Sequence, residues 1–348
     1  MKVREIGEFA LIERLARRMA SLASPQAGAP PALLLGIGDD AAAWRAEGVM
    51  LATTDSLVEG IHFLPEVAPW RAVGWKALAV NASDIAAMGG VPCYGLVTLG
   101  LPPDLPVTTV DELYEGLAEA CQEWGLTIAG GDIVRAPLLF ITVALWGEAR
   151  EGRLLTRSGA SRGDLIAVTG TLGEAAAGLA LLRRGQRQGP LREGPSHYVG
   201  ALARVGRVLV EAQLRPRPPL SAGPLAARLG VAAGIDISDG LLQDLGHICR
   251  ASGVAAVVEA ACVPASAALQ EAFPEEALRL ACTGGEDYQL LLTASAPVLE
   301  EMKRRSPVPL TVIGHIQAGE PGRVRLVDEE GQEVTFARAG WDHLQGGP

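Results

Sequence analysis

Short apolar runs alternate with segments of helical spacing along this chain, and that alternation restricts it to a layered α/β architecture. The spacing predicts a helix over 5–22, strands over 33–37 and 49–54, and a helix over 68–88. A strand over 94–99, a helix over 108–124 and a strand over 138–146 close the first half. A strand over 165–169 and an Ala-rich helix over 172–184 begin the second half. Polar, Gly/Pro-rich residues 185–195 read as a mobile loop. Further helical segments, strands near 254–259, 288–293 and 310–316, and a hairpin around Asp328–Gly331 follow. The expected fold is α/β (α+β), two domains with mixed sheets flanked by helices, divided as 1–148 and 149–348. The alternation is too irregular for a barrel, and there is no short tandem repeat.

Composition narrows the function. Thirty basic against forty acidic residues give a formal charge of −10, which argues against a nucleic-acid or anionic-membrane partner. It leaves room for phosphate ligands held through metal ions. Three lysines, Lys2, Lys76 and Lys303, give a lysine-dependent mechanism few candidates. Five cysteines without close C-x-x-C spacing disfavour a disulfide framework or a zinc site. No apolar run approaches the ~18–20 residues of a membrane span, and residues 1–24 lack the apolar core of a signal peptide. A soluble cytoplasmic protein is expected.

The chemistry-bearing feature is a set of aspartates beside Gly, Ser and Thr. They are Asp39 and Asp40 after Gly36-Ile37-Gly38, Asp55 after Thr53-Thr54, Asp84 after Asn81-Ala82-Ser83, and Asp132 after Gly130-Gly131. Asp236 and Asp239 flank Ile237-Ser238. Hard divalent cations take oxygen ligands, and carboxylates supply both oxygen and charge. Each motif alone reads equally as a turn or a helix cap. Together they sit where apolar strands end or helices begin, and carboxylates that converge repel unless a cation lies between them. A second group, Gly284-Gly285-Glu286-Asp287-Tyr288, precedes an apolar run; it reads as a turn entering a strand, or as a pocket mouth with Glu286 as acceptor. There is no G-x-x-x-x-G-K-[ST] loop, protein-kinase motif set, dinucleotide fingerprint, nucleophile motif or His-Glu-x-x-His. The other tryptophans, 44, 70, 75, 124 and 146, read as packing residues, and His247 and His315 as structural.

Gly36-Ile-Gly-Asp-Asp40-Ala-Ala, Thr54-Asp55-Ser-Leu-Val-Glu-Gly-Ile-His62-Phe and Asn81-Ala-Ser-Asp84-Ile-Ala-Ala-Met-Gly stand in one order with Gly130-Gly-Asp132, Thr156-Arg157-Ser-Gly-Ala, Asp236-Ile-Ser-Asp239-Gly-Leu and Gly284-Gly-Glu-Asp-Tyr288. This series resembles the thiamine-monophosphate kinase family of the aminoimidazole-ribonucleotide-synthetase-like superfamily, from about Gly7-Glu-Phe to Gly340-Trp341-Asp-His. The resemblance implies synthetase-like N- and C-terminal domains. The first would bind ATP and Mg²⁺ and form a homodimer by pairing sheets; the second would complete an active-site cleft. It implies in-line transfer of the ATP γ-phosphoryl to thiamine monophosphate, giving thiamine diphosphate, the last step of that biosynthesis.

By the same resemblance Asp40, Thr53, Thr54, Asp55, Asp84, Asp132, Asp236 and Asp239 are metal ligands. Tyr114, Gly131, Asp132, Arg157 and Ser238 contact ATP, and His62, Glu286 and Trp341 take thiamine phosphate. Asp40, Asp55, Asp84, Asp132 and Arg157 carry the transfer. The acceptor is already an ionised phosphate oxygen, so positioning and charge neutralisation suffice and no general base is needed. Ile133-Val134 stands where the family usually has Thr-Thr after Gly-Gly-Asp, and Gln289 where it has Glu. Two alternatives stay open: another ATP-using enzyme of the superfamily, of purine-synthesis or maturation type, or a non-catalytic ATP/Mg²⁺-binding relative. The absence of a terminal Cys disfavours the maturation branch, and the Gly-Gly-Glu-Asp-Tyr motif disfavours the purine branch.

Overall fold

The computed structural model describes residues 1–22, 33–37, 41–46, 48–149, 153–186 and 202–341. The Gly38-Asp39-Asp40 motif and most of the 185–195 loop lie outside the described residues. The chain forms two compact units, Met1–Ile85 with Gly90–Gly152, and Ala86–Gly89 with Arg153–Pro348.

The first unit runs α1 (Val3–Ile6), α2 (Glu8–Leu22), β1 (Leu33–Leu35), β2 (Ala43–Trp44), β3 (Val49–Val58), α3 (Trp70–Ala87), β4 (Val91–Leu101), α4 (Val107–Trp124), β5 (Thr127–Arg135) and β6 (Phe140–Ala149). Strands β3-β6-β4-β5 form a mixed sheet in that order, with β4 and β5 parallel and the other pairs antiparallel. Strand alternation divides the side chains. Leu57, Ile141, Val143, Leu145, Val97 and Leu99 are buried on one face, against which α3 lies, with Ile85 packed on Gly147. On the other face Thr54 and Ser56 are exposed, and Trp44 of β2 covers Tyr94 and Trp146 at ring separations of 5.0 and 5.6 Å.

The expectations omit two strands of this unit, β2 and β5. The Gly130-Gly131-Asp132 motif sits inside strand β5, which the sequence reading omits. Consecutive glycines read as a strand breaker, but parallel pairing of Thr127–Arg135 with β4 overrides that local preference. Strand β3 also runs on to Val58, so Asp55 lies within it rather than at its end.

Helices α3 and α4 approach backbone to backbone. A Cβ on Gly74 would overlap the Leu113 carbonyl, and one on Gly116 would overlap the Arg71 carbonyl. Trp75 and Trp124 pack edge to face beside this crossing, 4.7 Å between centroids. Helix α2 seats Leu11 and Leu15 fully inside. Its Arg14 forks onto Asp111 of α4, with Nε and Nη2 donating to the two carboxylate oxygens at 2.7 and 2.5 Å.

The second unit runs β7 (Leu165–Thr169), α5 (Glu174–Gln186), α6 (Leu202–Leu214), α7 (Ala222–Leu229), β8 (Ala233–Asp236), α8 (Leu241–Ser252) and β9 (Ala255–Glu259). Then come α9 (Ala267–Ala272), α10 (Ala277–Thr283), β10 (Leu290–Ala294), α11 (Ala296–Arg305), β11 (Leu310–Gln317), β12 (Val324–Val327) and β13 (Glu333–Val334). Its sheet has the order β13-β12-β9-β11-β7-β10-β8 and is mixed, β12 and β9 being the parallel pair. Apolar clusters lie on both sides of it: Ile166 and Val168 of β7 pack with α8, while Ala167 packs with α7 and α11. The Asp328–Gly331 turn joins β12 to β13 as a hairpin. Among the described residues no helix is long and apolar enough to cross a membrane.

Alanine at Gly74 or Gly116 forces α3 and α4 apart. The expected cost is about 1–3 kcal/mol, the usual range for overpacking, read as a lower denaturation midpoint; an unchanged midpoint would refute the close crossing.

Candidate active site

In the first unit the i, i+2 spacing on β3 puts Thr53 and Asp55 on the face that α3 covers. Asp84, on the inner side of α3, meets them there. Thr53 Oγ1 donates to Asp84 Oδ2 at 2.6 Å, and the Asp55 carboxyl lies within hydrogen-bonding reach of Asp84. The Asp55 side chain reaches solvent, yet the atoms crowded around its carboxyl displace water, and Asp84 adds negative charge. Desolvation first and repulsion second push its pKa up to about 6. A pair of carboxylates and a hydroxyl is an all-oxygen donor set of the kind a hard cation takes.

Thr54 and Asp132 fall elsewhere. Register pairs Ser56 with Thr142, Thr142 with Thr98, and Thr98 with Asp132. Partners across a sheet share a face, so Asp132 lies on the face opposite Asp55, as does Thr54. Gly131 is required by the sheet itself, since a Cβ there would overlap the Val97 carbonyl. Tyr114 is buried on α4, which raises its pKa. His62 sits in the turn after β3. Its Nδ1 accepts the Val58 N–H at 3.1 Å, so a neutral ring carries its proton on Nε2.

In the second unit two segments converge on one strap of backbone, Asp236–Gly240, between β8 and α8. From the 284–289 loop, Glu286 N–H donates to Ser238 O and Tyr288 N–H to Ile237 O, both at 2.8 Å. From the C-terminal segment, Trp341 N–H donates to Asp239 O at 3.0 Å. Asp236, Ser238, Asp239, Glu286 and Trp341 are thereby gathered. The Arg157 side chain is exposed on a loop whose backbone is tied to α8 through Ser252. Its charge and that of Asp239 both act on His247 of α8, whose pKa is lowered first by burial and then by Arg250 and Arg157.

Three residues here escape sequence reasoning. Asp244, in the first turn of α8, accepts the N–H groups of Ser238, Asp239 and Gly240 on one oxygen, each at 3.1 Å. Burial raises its carboxyl to about 7 against the pull of those donors. An acid in the first turn after a Gly loop is the signal that could have found it. Gln243 Nε2 donates to Trp341 O at 2.7 Å and to Asp239 Oδ2 at 3.3 Å. Gln213 of α6 donates to Glu286 Oε2 at 2.7 Å; the 73-residue separation leaves no local signal for it. Among the described residues no group of three or more His, Cys, Asp or Glu side chains is gathered closely enough to hold a metal.

Asp287 is buried and accepts the N–H groups of Gly173 and Ala175 at the start of α5, at 2.7 and 3.4 Å. Burial, partly opposed by those donors, pushes its carboxyl from 3.8 to about 8. The folded chain therefore holds a proton between these values that the unfolded chain has lost. This share of stability is complete below about pH 4 and is lost as pH rises through 8. Asp55 and Asp244 slope the same way. In metal-free buffer the melting temperature should fall from pH 5 to pH 8, and Asp287→Asn should flatten that fall without abolishing it. An identical slope in the variant would refute the assignment. Asp244→Ala strands three backbone donors at about 1–3 kcal/mol each; its melting temperature should drop further than that of Asp244→Asn, and equal melting would count against the nest.

Residues 38–149 match the family described as AIR synthase related protein, N-terminal domain, and residues 161–327 its C-terminal domain. Thiamine-monophosphate kinase of Escherichia coli strain K12 is 38% identical over 344 residues, 97% of this chain and 98% of that one. The crystal structure of thiamine-monophosphate kinase from Stenotrophomonas maltophilia K279a superposes with a TM-score of 0.77 at 35% identity, covering 94% of this chain and 98% of that one. A structure described as AaThiL complexed with AMPPCP and TMP gives 0.73 at 32% identity, covering 99% of each chain. Similarity at this level extends over nearly the whole chain, and the chain belongs to the thiamine-monophosphate kinase family.

Proposed function

We propose that this chain transfers the γ-phosphoryl group of ATP to thiamine monophosphate, giving thiamine diphosphate and ADP. The observation that carries this reading is the near-full-length likeness to thiamine-monophosphate kinases, one of them described in complex with AMPPCP and TMP. Nucleophile and leaving group are both phosphate oxygens, so the protein's task is to align them and to offset four or more negative charges.

Mg²⁺ fits the residues present. Asp55 and Asp84 repel each other beside the Thr53 hydroxyl, and Asp236 and Asp239 stand on the strap of the second unit. These residues would hold Mg²⁺, with Asp40, Thr54 and Asp132 added on sequence grounds. Bound there, the ion supplies positive charge that draws off the developing charge of the phosphoryl oxygens. The chain's own groups do the rest. The exposed Arg157 guanidinium offers a planar, permanently charged fork to phosphate; Gly131, Ser238 and Tyr114 complete the proposed nucleotide contacts. His62, Glu286 and Trp341 take thiamine phosphate: an aromatic plane suits its cationic ring, and a carboxylate accepts from its amino group. The first unit would carry most of the ATP and Mg²⁺ ligands, the second most of the substrate groups.

We also propose a cytoplasmic homodimer. The half-exposed face of the first unit's sheet, with Ser56 and Val134 at its surface, supports pairing of two copies.

With ATP, Mg²⁺ and thiamine monophosphate, thiamine diphosphate and ADP should form one to one; bound ATP without diphosphate would overturn the reading. Asp55→Asn and Asp84→Asn should each lower turnover at least about a hundredfold, the scale for lost charge stabilisation at a transferring group, with chelation abolishing it. Retained turnover in either variant would remove that residue from the site. Light scattering should return twice the chain mass, and a fully active monomer would refute the dimer.

A further inference from the structure

We infer that Gln213 is a positioning residue that aims the Glu286 carboxylate at the amino group of the thiamine moiety, an inference that rests on the substrate reading above. Gln213 ends α6 and is 4% exposed. Its Cβ is seated against Gly178 of α5, where any larger residue would press on it. Its Nε2 donates to Glu286 Oε2 at 2.7 Å. Its Oε1 is buried and accepts no hydrogen bond.

The amide cannot turn over to relieve this. An ionised carboxylate only accepts, so the nitrogen must face Glu286 and the oxygen must be the atom left without a donor. A buried carbonyl without a partner is costly, and an apolar side chain of the same shape would avoid that cost. Stability therefore does not explain a glutamine here; the bond to Glu286 does. Glu286 itself is half-buried and projects from a backbone at φ 71. The loop fixes where its Cα stands, and Gln213 fixes where its carboxylate points.

The test is Gln213→Met, close in shape and without a donor. Its KM for thiamine monophosphate should rise about tenfold, the scale of one lost polar orientation. The KM for ATP and kcat should change less, and the melting temperature should equal or exceed that of the unaltered protein. Its crystal structure should show the Glu286 carboxylate displaced while the 284–289 backbone and Asp287 stay in place. An unchanged KM for thiamine monophosphate overturns the inference. So does a parallel rise in both KM values with a lower melting temperature, which marks a structural role. If the unaltered protein makes no thiamine diphosphate, the substrate reading fails on its own. The crystal structure then still decides, since an unmoved Glu286 carboxylate refutes positioning by Gln213.

Discussion

Asp244 gathers the N–H groups of Ser238, Asp239 and Gly240 onto a single carboxylate oxygen, and the second unit's cluster follows from that nest. The nest ends β8 and starts α8 in a fixed geometry, turning the carbonyls of Ile237, Ser238 and Asp239 outward. Those three carbonyls then take the N–H groups of Tyr288, Glu286 and Trp341 in turn. Segments far apart in sequence are thus aligned by main-chain bonds, and side-chain identity is left for chemistry. Gln243, one residue before Asp244, adds a side-chain tie to Asp239 and to the Trp341 carbonyl.

The first unit solves a different problem. Its carboxylates are brought together by packing: an apolar strand alternates so that Thr53 and Asp55 share a face with Leu51 and Leu57, and α3 covers that face. The close α3–α4 crossing at Gly74 and Gly116 belongs to the same packing. The fold therefore holds Asp55 beside Asp84 at an electrostatic cost, expressed in the raised pKa of Asp55. A site built this way is stabilised by whatever cation relieves the repulsion, which reconciles an acidic chain with the two anionic substrates proposed for it.

Most of this architecture is legible in the sequence because strands and helices here carry strong periodicity: α4 and β7 are read within one residue of where they lie. Strand β5 is not, since its Gly131 is required by the approach of the Val97 carbonyl and glycine carries no strand propensity. The aspartate motifs announce a polar cluster, but alternation within β3 and register across the sheet decide which members can meet. Asp132 shares a row with Thr98, Thr142 and Ser56, opposite Asp55. Gln213 and Asp244 are invisible for a simpler reason: each acts through a buried hydrogen bond to a group whose own motif drew the eye.

The Glu286-Asp287-Tyr288 turn shows how such bonds stabilise strain. Glu286 and Tyr288 both have positive φ, 71 and 50, a region that costs a non-glycine residue about 1–3 kcal/mol. Between them Asp287 caps the start of α5 with two accepted bonds, and each strained residue donates its own N–H to the strap. Four hydrogen bonds at about 0.5–1.5 kcal/mol each match that cost. The turn is held at both ends and in the middle, so Glu286 cannot relax its backbone without releasing the helix cap and the strap together. Its carboxylate, beyond that fixed backbone, accepts from the buried amide of Gln213.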